Sequence, residues 1–252
     1  MKDLLACPPP PVDWVIDGVA ARGTVSVLYG EPGVGKSYLA LAFAGALAHG
    51  TDLGGFQCKR TGALLVDAEN SEDELVRRMQ SLGSFNGQVG TWFDVLEIEK
   101  GTSIADPGNI AYLQNEIRRT SAQLVILDSF SSLWPYGDEN DRVQVTELFK
   151  LLNALARAYD TSILILHHSR RVGGYRGSGA IKAMSDIFMK MEKWRRDKDP
   201  TRRRVVWEKC RVGPEPLPHW VRFETNWGGM EIQRSTRPVN DELYPKDMEW
   251  DQ

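Results

Sequence analysis

Apolar positions along this chain follow two rhythms. Short unbroken runs of aliphatic and β-branched residues alternate with longer stretches in which apolar residues recur every three or four positions. TVSVLYG, ending at Gly30, reads as a buried strand stopped by a glycine. Residues 36–48 read as a helix, and ALLVDAEN (63–70) as a second strand. SEDELVRRMQSL reads as a helix with Ser71 as N-cap and Glu74 three residues later completing a capping box. TWFDVLEI is a third strand; DPGNIAYLQNEIRRT is a helix with Asp106 as N-cap and Pro107 at its first position. QLVILDS (123–129) is an apolar strand ending in an acid, residues 141–159 a long helix, and TSILILHHS a fifth buried strand.

Unbroken apolar strands separated by amphipathic helices predict an α/β fold, a mostly parallel doubly wound sheet with helices on both faces. After residue 185 the rhythm changes. DIFMKM, RRVVWEKC, HWVRFET and MEIQ read as short antiparallel strands joined by turns that extend the sheet. The expected organisation is a proline-rich lead-in (1–13), one domain over 14–234 and a polar, acidic tail (235–252). No internal repeat is visible.

Composition narrows this picture only modestly. A chain of 252 residues suits one α/β domain with a sizeable core. A formal net charge of −3 excludes a global basic field, so any nucleic-acid contact must be a local patch. The three cysteines, Cys7, Cys58 and Cys210, lie far apart with no metal-ligand spacing. No signal peptide is expected, and the most apolar run, Leu39 to Ala48, is too short to cross a bilayer. A reduced cytoplasmic protein with no membrane partner is the expectation.

The candidate chemistry starts at Gly30–Ser37, which satisfies G-x-x-x-x-G-K-[ST] with a strand before it and a helix after it. Backbone N–H groups of such a loop, with the positive end of the following helix, bind phosphate oxygens. Glu31, Pro32, Gly33, Val34, Gly35, Lys36, Ser37 and Tyr38 are the candidate nucleotide-binding residues. Lys36 would reach the β- and γ-phosphates and the Ser37 hydroxyl would ligate Mg²⁺, which makes ATP and Mg²⁺ the expected ligands. Asp128, at the tip of a buried strand expected beside the first, is the second candidate metal ligand. Glu69, expected at the end of the second strand, is the candidate base that polarises the attacking water, with Asp67 and Glu72 as competitors. His168 or His167 would sense the γ-phosphate. SRRVGGYRGSG (169–179) offers cations and one aromatic to a single strand of nucleic acid, through Arg170, Arg171, Tyr175 and Arg176.

These segments resemble the RecA-like ATPases of the RepA-type and DnaB-type hexameric helicase group, from about VDWVIDG (12–18) to MEI (230–232). VDWVIDGVAARGTVSVLYGEPGVGKS resembles the opening of RepA-type ATPases, and DAENSEDELVRRM the segment that carries their catalytic glutamate, here Glu69. YRGSGAIKAMSD resembles a DnaB-type segment following a DNA-facing loop, with Arg176, Ser178, Gly179 and Asp186 in the matching positions. VVWEKCRVGP resembles the late strand whose lysine and arginine enter the neighbouring subunit's active site, here Lys209 and Arg211, two residues apart and so on one face of a strand. The resemblance implies a homo-oligomer, a hexamer that forms with nucleotide or DNA, acting on single-stranded DNA as a replicative helicase. A filament-forming strand-annealing or recombination ATPase, and a nucleotide-gated partner-binding module without DNA, remain alternatives. No counterpart of the primase or N-terminal interaction domain of many replicative helicases is expected in this sequence, only the proline-rich lead-in.

Overall fold

The structure is a computed structural model that describes residues 11–83, 93–96, 98, 101–135, 137–169, 177–195, 197–226 and 229–237. Two short strands, β1 (Trp14–Ile16) and β2 (Ala20–Ala21), form an antiparallel hairpin. They precede β3 (Val25–Gly30), every residue of which is buried. The chain continues through helix α1 (Lys36–His49), β4 (Ala63–Asp67), α2 (Glu72–Leu82), β5 (Phe93–Leu96), α3 (Pro107–Thr120), β6 (Leu124–Asp128) and the one-turn α4 (Phe130–Leu133). It then runs through α5 (Arg142–Ala158), β7 (Ser162–His168), the short α6 (Gly179–Met184) and four further strands: β8 (Ile187–Glu192), β9 (Arg202–Cys210), β10 (His219–Asn226) and β11 (Gly229–Ser235).

Among the described residues, nine strands form one sheet in the order β11-β10-β9-β8-β3-β7-β6-β4-β5. The pairs from β8 to β5 are parallel and the remaining three antiparallel. All six parallel strands therefore end at one edge, where the connecting loops gather. One core, built on α1 and the hairpin, covers one face; the other, built on α3, α5 and α6, covers the opposite face. Helix α1 is buried nearly all round, which explains its Ala-rich composition: small residues let it lie close to the sheet.

The structure departs from the sequence expectations in specific ways. β6 is not beside β3, because β7 lies between them. The first of the four C-terminal strands, β8, pairs parallel with β3 and only then antiparallel with β9. The intervening α6 returns the chain to the starting edge, as a parallel connection requires. The second strand stops at Asp67, not at Glu69 or Asn70. The Asp67 carboxylate accepts the N–H groups of Glu69 (2.8 Å) and Asn70 (2.9 Å), and this local turn ends the ladder. Ser71 does cap α2 through Glu74 N–H at 3.3 Å, but the Glu74 carboxylate pairs with Arg78 at 3.0 Å. Asp106 stands at the N-cap position of α3 with its carboxylate turned to the Ser103 N–H at 2.9 Å.

Candidate nucleotide site

The loop between β3 and α1 places the end of a helix against the edge where the parallel strands terminate. Gly35 is the N-cap residue of α1 at φ +106°, and a Cβ there would also stand 3.1 Å from the Phe223 ring. The loop's carbonyls are held from behind. Gly30 C=O accepts Lys36 Nζ (2.9 Å) and Ser169 N–H (3.0 Å), and Glu31 C=O accepts Val34 N–H (3.2 Å) and Lys36 Nζ (3.2 Å). The first N–H groups of α1 have no carbonyl of their own helix to bind. The residues therefore fit a phosphate chain: free helix-end donors and a lysine at their base.

Lys36 is buried, 5% exposed. Burial lowers its pKa, while the fields of Asp128 and Glu69 oppose that effect. Asp128 is 5% exposed at the tip of β6. Its pKa is pushed up to about 6, first by burial and then by the like charges of Asp67 and Glu69, against the Ser37 hydroxyl, which hydrogen-bonds it. The Asp128–Ser129 peptide is cis. Ser37 and Asp128 thus form a hard oxygen pair of the kind that holds Mg²⁺ together with phosphates and water.

Glu69 lies two residues past β4 on the turn that Asp67 makes. Its carboxylate is 3.4 Å from His168 Nε2, and His168 Nδ1 is 3.4 Å from Lys36 Nζ. The hydrogen bond from His168, with help from Ser129 and Lys36, holds the Glu69 carboxyl below its ordinary range. His168 is opposite Gly30 in the β3–β7 ladder, which is why it reaches the loop. His167, one residue earlier, points to the other face; it is 1% exposed and edge-on to Phe130 at 5.3 Å. Of the competitors, Asp67 is committed to the turn, and Glu72 is the first residue of α2.

Lys209 and Arg211 lie elsewhere. Lys209 is opposite Phe188, which is opposite Val27, so it sits about 10 Å back along the strands and about 10 Å across from Gly30. There its ammonium donates to the carbonyls of Lys182, Ala183 and Ser185, and Arg211 donates to Ala183 C=O at 2.8 Å. Both cations thus cap the C-terminal end of α6. Burial, with Arg211 and Lys182 nearby, pushes the Lys209 pKa down to about 8. Arg170, Arg171, Tyr175 and Arg176 lie outside the described residues.

Sequence reasoning had no role for Arg78 or Ser129. Arg78 stands over the Tyr38 ring, 5.5 Å from its centroid, and its charge reaches Asp128. Ser129 hydrogen-bonds Glu69. Neither has a sequence signal beyond adjacency, since both contacts join segments far apart in the chain. No helix among the described residues is long and apolar enough to cross a membrane.

A family described as an AAA domain matches residues 1–174, which carry β1 to β7 and every residue of the site just described. The chain belongs to this AAA-domain family. Within it, the RecA-like order of the sheet and the loop at Gly30–Ser37 make it a RecA-like P-loop ATPase. The fold is shared with a KaiC-like protein from Pyrococcus horikoshii (TM-score 0.62, 16% identity, 88% of this chain and 95% of that one). It is shared equally with a second solved structure, an ATPase domain (TM-score 0.64, 14% identity, 83% of this chain and 85% of that one). The DNA repair protein RadA of Mycobacterium tuberculosis is 27% identical over 186 residues, 72% of this AAA-domain chain and 34% of RadA. The DNA repair and recombination protein RadB of Archaeoglobus fulgidus is 26% identical over 160 residues, 61% of this chain and 65% of RadB. The chain thus spans about a third of RadA and just under two thirds of RadB.

Proposed function

We propose that this ATPase is a motor on single-stranded DNA, a hexameric DNA helicase of plasmid, phage or mobile-element replication. The observation that carries the reading is the convergence of Lys36, Asp128, Glu69 and His168 on one sheet edge, around the end of α1. In this reading Glu31 to Tyr38 bind the nucleotide, and Lys36 draws charge off the transferred phosphoryl group. Ser37 and Asp128 hold Mg²⁺, which when bound neutralises the β- and γ-phosphate oxygens. Glu69, kept ionised by His168, orients the attacking water and takes its proton. His168, between Lys36 and Glu69, senses the γ-phosphate by hydrogen bonding. Lys209 and Arg211 act on a neighbouring subunit's nucleotide, since in their own chain they sit far from Gly30; a cation supplied in trans is worth about 10³–10⁵ in rate. Arg170, Arg171, Tyr175 and Arg176 contact the DNA.

Likeness to proteins named for DNA repair, RadA and RadB, supports DNA as the substrate and favours a second reading, a filament-forming recombination or strand-annealing ATPase. A small change in the angle between identical subunits separates ring from filament. The deciding experiment follows ATP hydrolysis and oligomeric mass with and without single-stranded DNA, then strand displacement on a forked duplex. Stimulated turnover, a closed assembly and displacement are expected. Stimulated turnover in an open filament without displacement favours the second reading. Turnover indifferent to DNA in a monomer overturns both and leaves a nucleotide-gated module.

A further inference from the structure

The phosphate loop has a third carbonyl whose partner comes from far away in the chain. Val34 C=O accepts Arg203 Nε at 2.8 Å, across 169 residues of sequence. The other arm of the same guanidinium donates to Pro200 C=O at 2.7 Å and Arg202 C=O at 2.8 Å, where the loop of the β8–β9 hairpin enters β9. Arg203 is 8% exposed, and its guanidinium stands 5.6 Å from the centroid of Phe223, the ring that backs Gly35. A buried cation that spends its donors on carbonyls, with an aromatic face beside it, is costly to place and serves a defined geometry.

We infer that Arg203 is a positioning residue for the phosphate loop, which aims the Gly35 N–H at the nucleotide by holding the Val34 carbonyl from behind. The reason is the planarity of the peptide. In a trans peptide the C=O of Val34 and the N–H of Gly35 point in opposite directions, so tethering one directs the other. The Gly35 N–H belongs to the run of donors at the start of α1, and its φ of +106° lies where no ordinary side chain would help hold it. Arg203 supplies that restraint from outside. Its fork joins the loop to a hairpin that the AAA-domain match, ending at residue 174, does not include. Lysine cannot replace it, since a single ammonium cannot span Val34 and the loop end of the hairpin with the same planar geometry.

This inference rests on the phosphate-loop reading of Gly30–Ser37, and the test separates the two. Binding of fluorescent Mg-ADP is measured for the full chain, Arg203→Met, Arg203→Lys and Arg202→Met, each with its thermal midpoint. Arg202 is the control: it loses ion pairs to Asp197 (3.0 Å) and Asp199 (3.4 Å) in the same hairpin but donates nothing to the loop. Arg203→Met and Arg203→Lys are expected to weaken Mg-ADP about tenfold, and Arg202→Met to bind as the parent does at a similar cost in midpoint. If Arg203→Met does not fold, Arg203→Lys carries the test. Parental affinity in Arg203→Lys, or an equal loss in Arg202→Met, overturns the role. A parent chain that binds no Mg-ADP overturns the phosphate-loop reading instead.

Discussion

Replacing Asp128 with asparagine should make the protein more stable and catalytically dead. The carboxyl is buried at the tip of β6, and its pKa stands at about 6 against a usual 3.8. The native state therefore binds this proton more tightly than the unfolded chain. Above pH 6 the group is ionised in both states and the cost of burying its charge is present in full. At 1.36 kcal/mol per unit it comes to about 3 kcal/mol. As pH falls through 6 the folded protein takes up the proton and stability rises; about half of the cost is gone by pH 5. Asparagine keeps an oxygen to accept the Ser37 hydroxyl and drops the charge, though Lys36 loses an attractive neighbour. The net gain should be about 1–3 kcal/mol at pH 7.5, or about 2–10 °C in midpoint for a domain of this size. Thermal and urea unfolding in EDTA at pH 7.5 and 5, parent against Asp128→Asn, measures it. Hydrolysis of Mg-ATP by the variant should fall by at least about 100-fold. A variant less stable than the parent at pH 7.5, or a gain of equal size at both pH values, would refute the reasoning.

Lys36→Ala should remove turnover and weaken Mg-ATP binding, read by hydrolysis and by titration with a fluorescent nucleotide; unchanged turnover would sink the site. Glu69→Gln should keep nucleotide binding and lose about 100-fold or more in kcat. Because the hydrogen bond from His168 holds the Glu69 carboxyl below its ordinary range, the Glu69 carboxyl should titrate at higher pH in His168→Ala than in the parent, read by carboxyl-resolved NMR; an unchanged titration would refute the link. Arg211→Ala should bind ATP normally and lose turnover in the assembled state, and addition of a Lys36→Ala chain with intact fingers should restore part of it. Lys209 loses its proton near pH 8, so a role for its charge predicts turnover falling above that pH in the parent and holding level in Lys209→Arg.

Much of the framework was legible in the chain. Gly30–Ser37 announced a strand, a loop and a helix because each signal is local: an unbroken apolar run, glycines, and a lysine and serine at the start of a helix. Asp128, Glu69 and the His167–His168 pair could be picked out because each follows an apolar run that ends at the same sheet edge. The turn of Asp67 was not legible, since an acid after an apolar run reads as easily as one more strand residue. Nor was the half-open capping box, because Glu74 had Arg78 to pair with one turn later.

Sequence by itself determined the alternation of strands and helices, the phosphate loop and the set of polar residues available at its edge. These follow from periodicity, backbone freedom and helix-end chemistry, which act over a few residues. Tertiary structure alone decided that β7 stands between β3 and β6, that His168 and not His167 faces Lys36, and that β8 runs parallel to β3. It also brought Arg203 beneath Val34 and put Lys209 and Arg211 at the end of α6. Strand order and register are set by hydrogen bonds between segments up to 161 residues apart, and a shift of one residue turns every side chain to the opposite face.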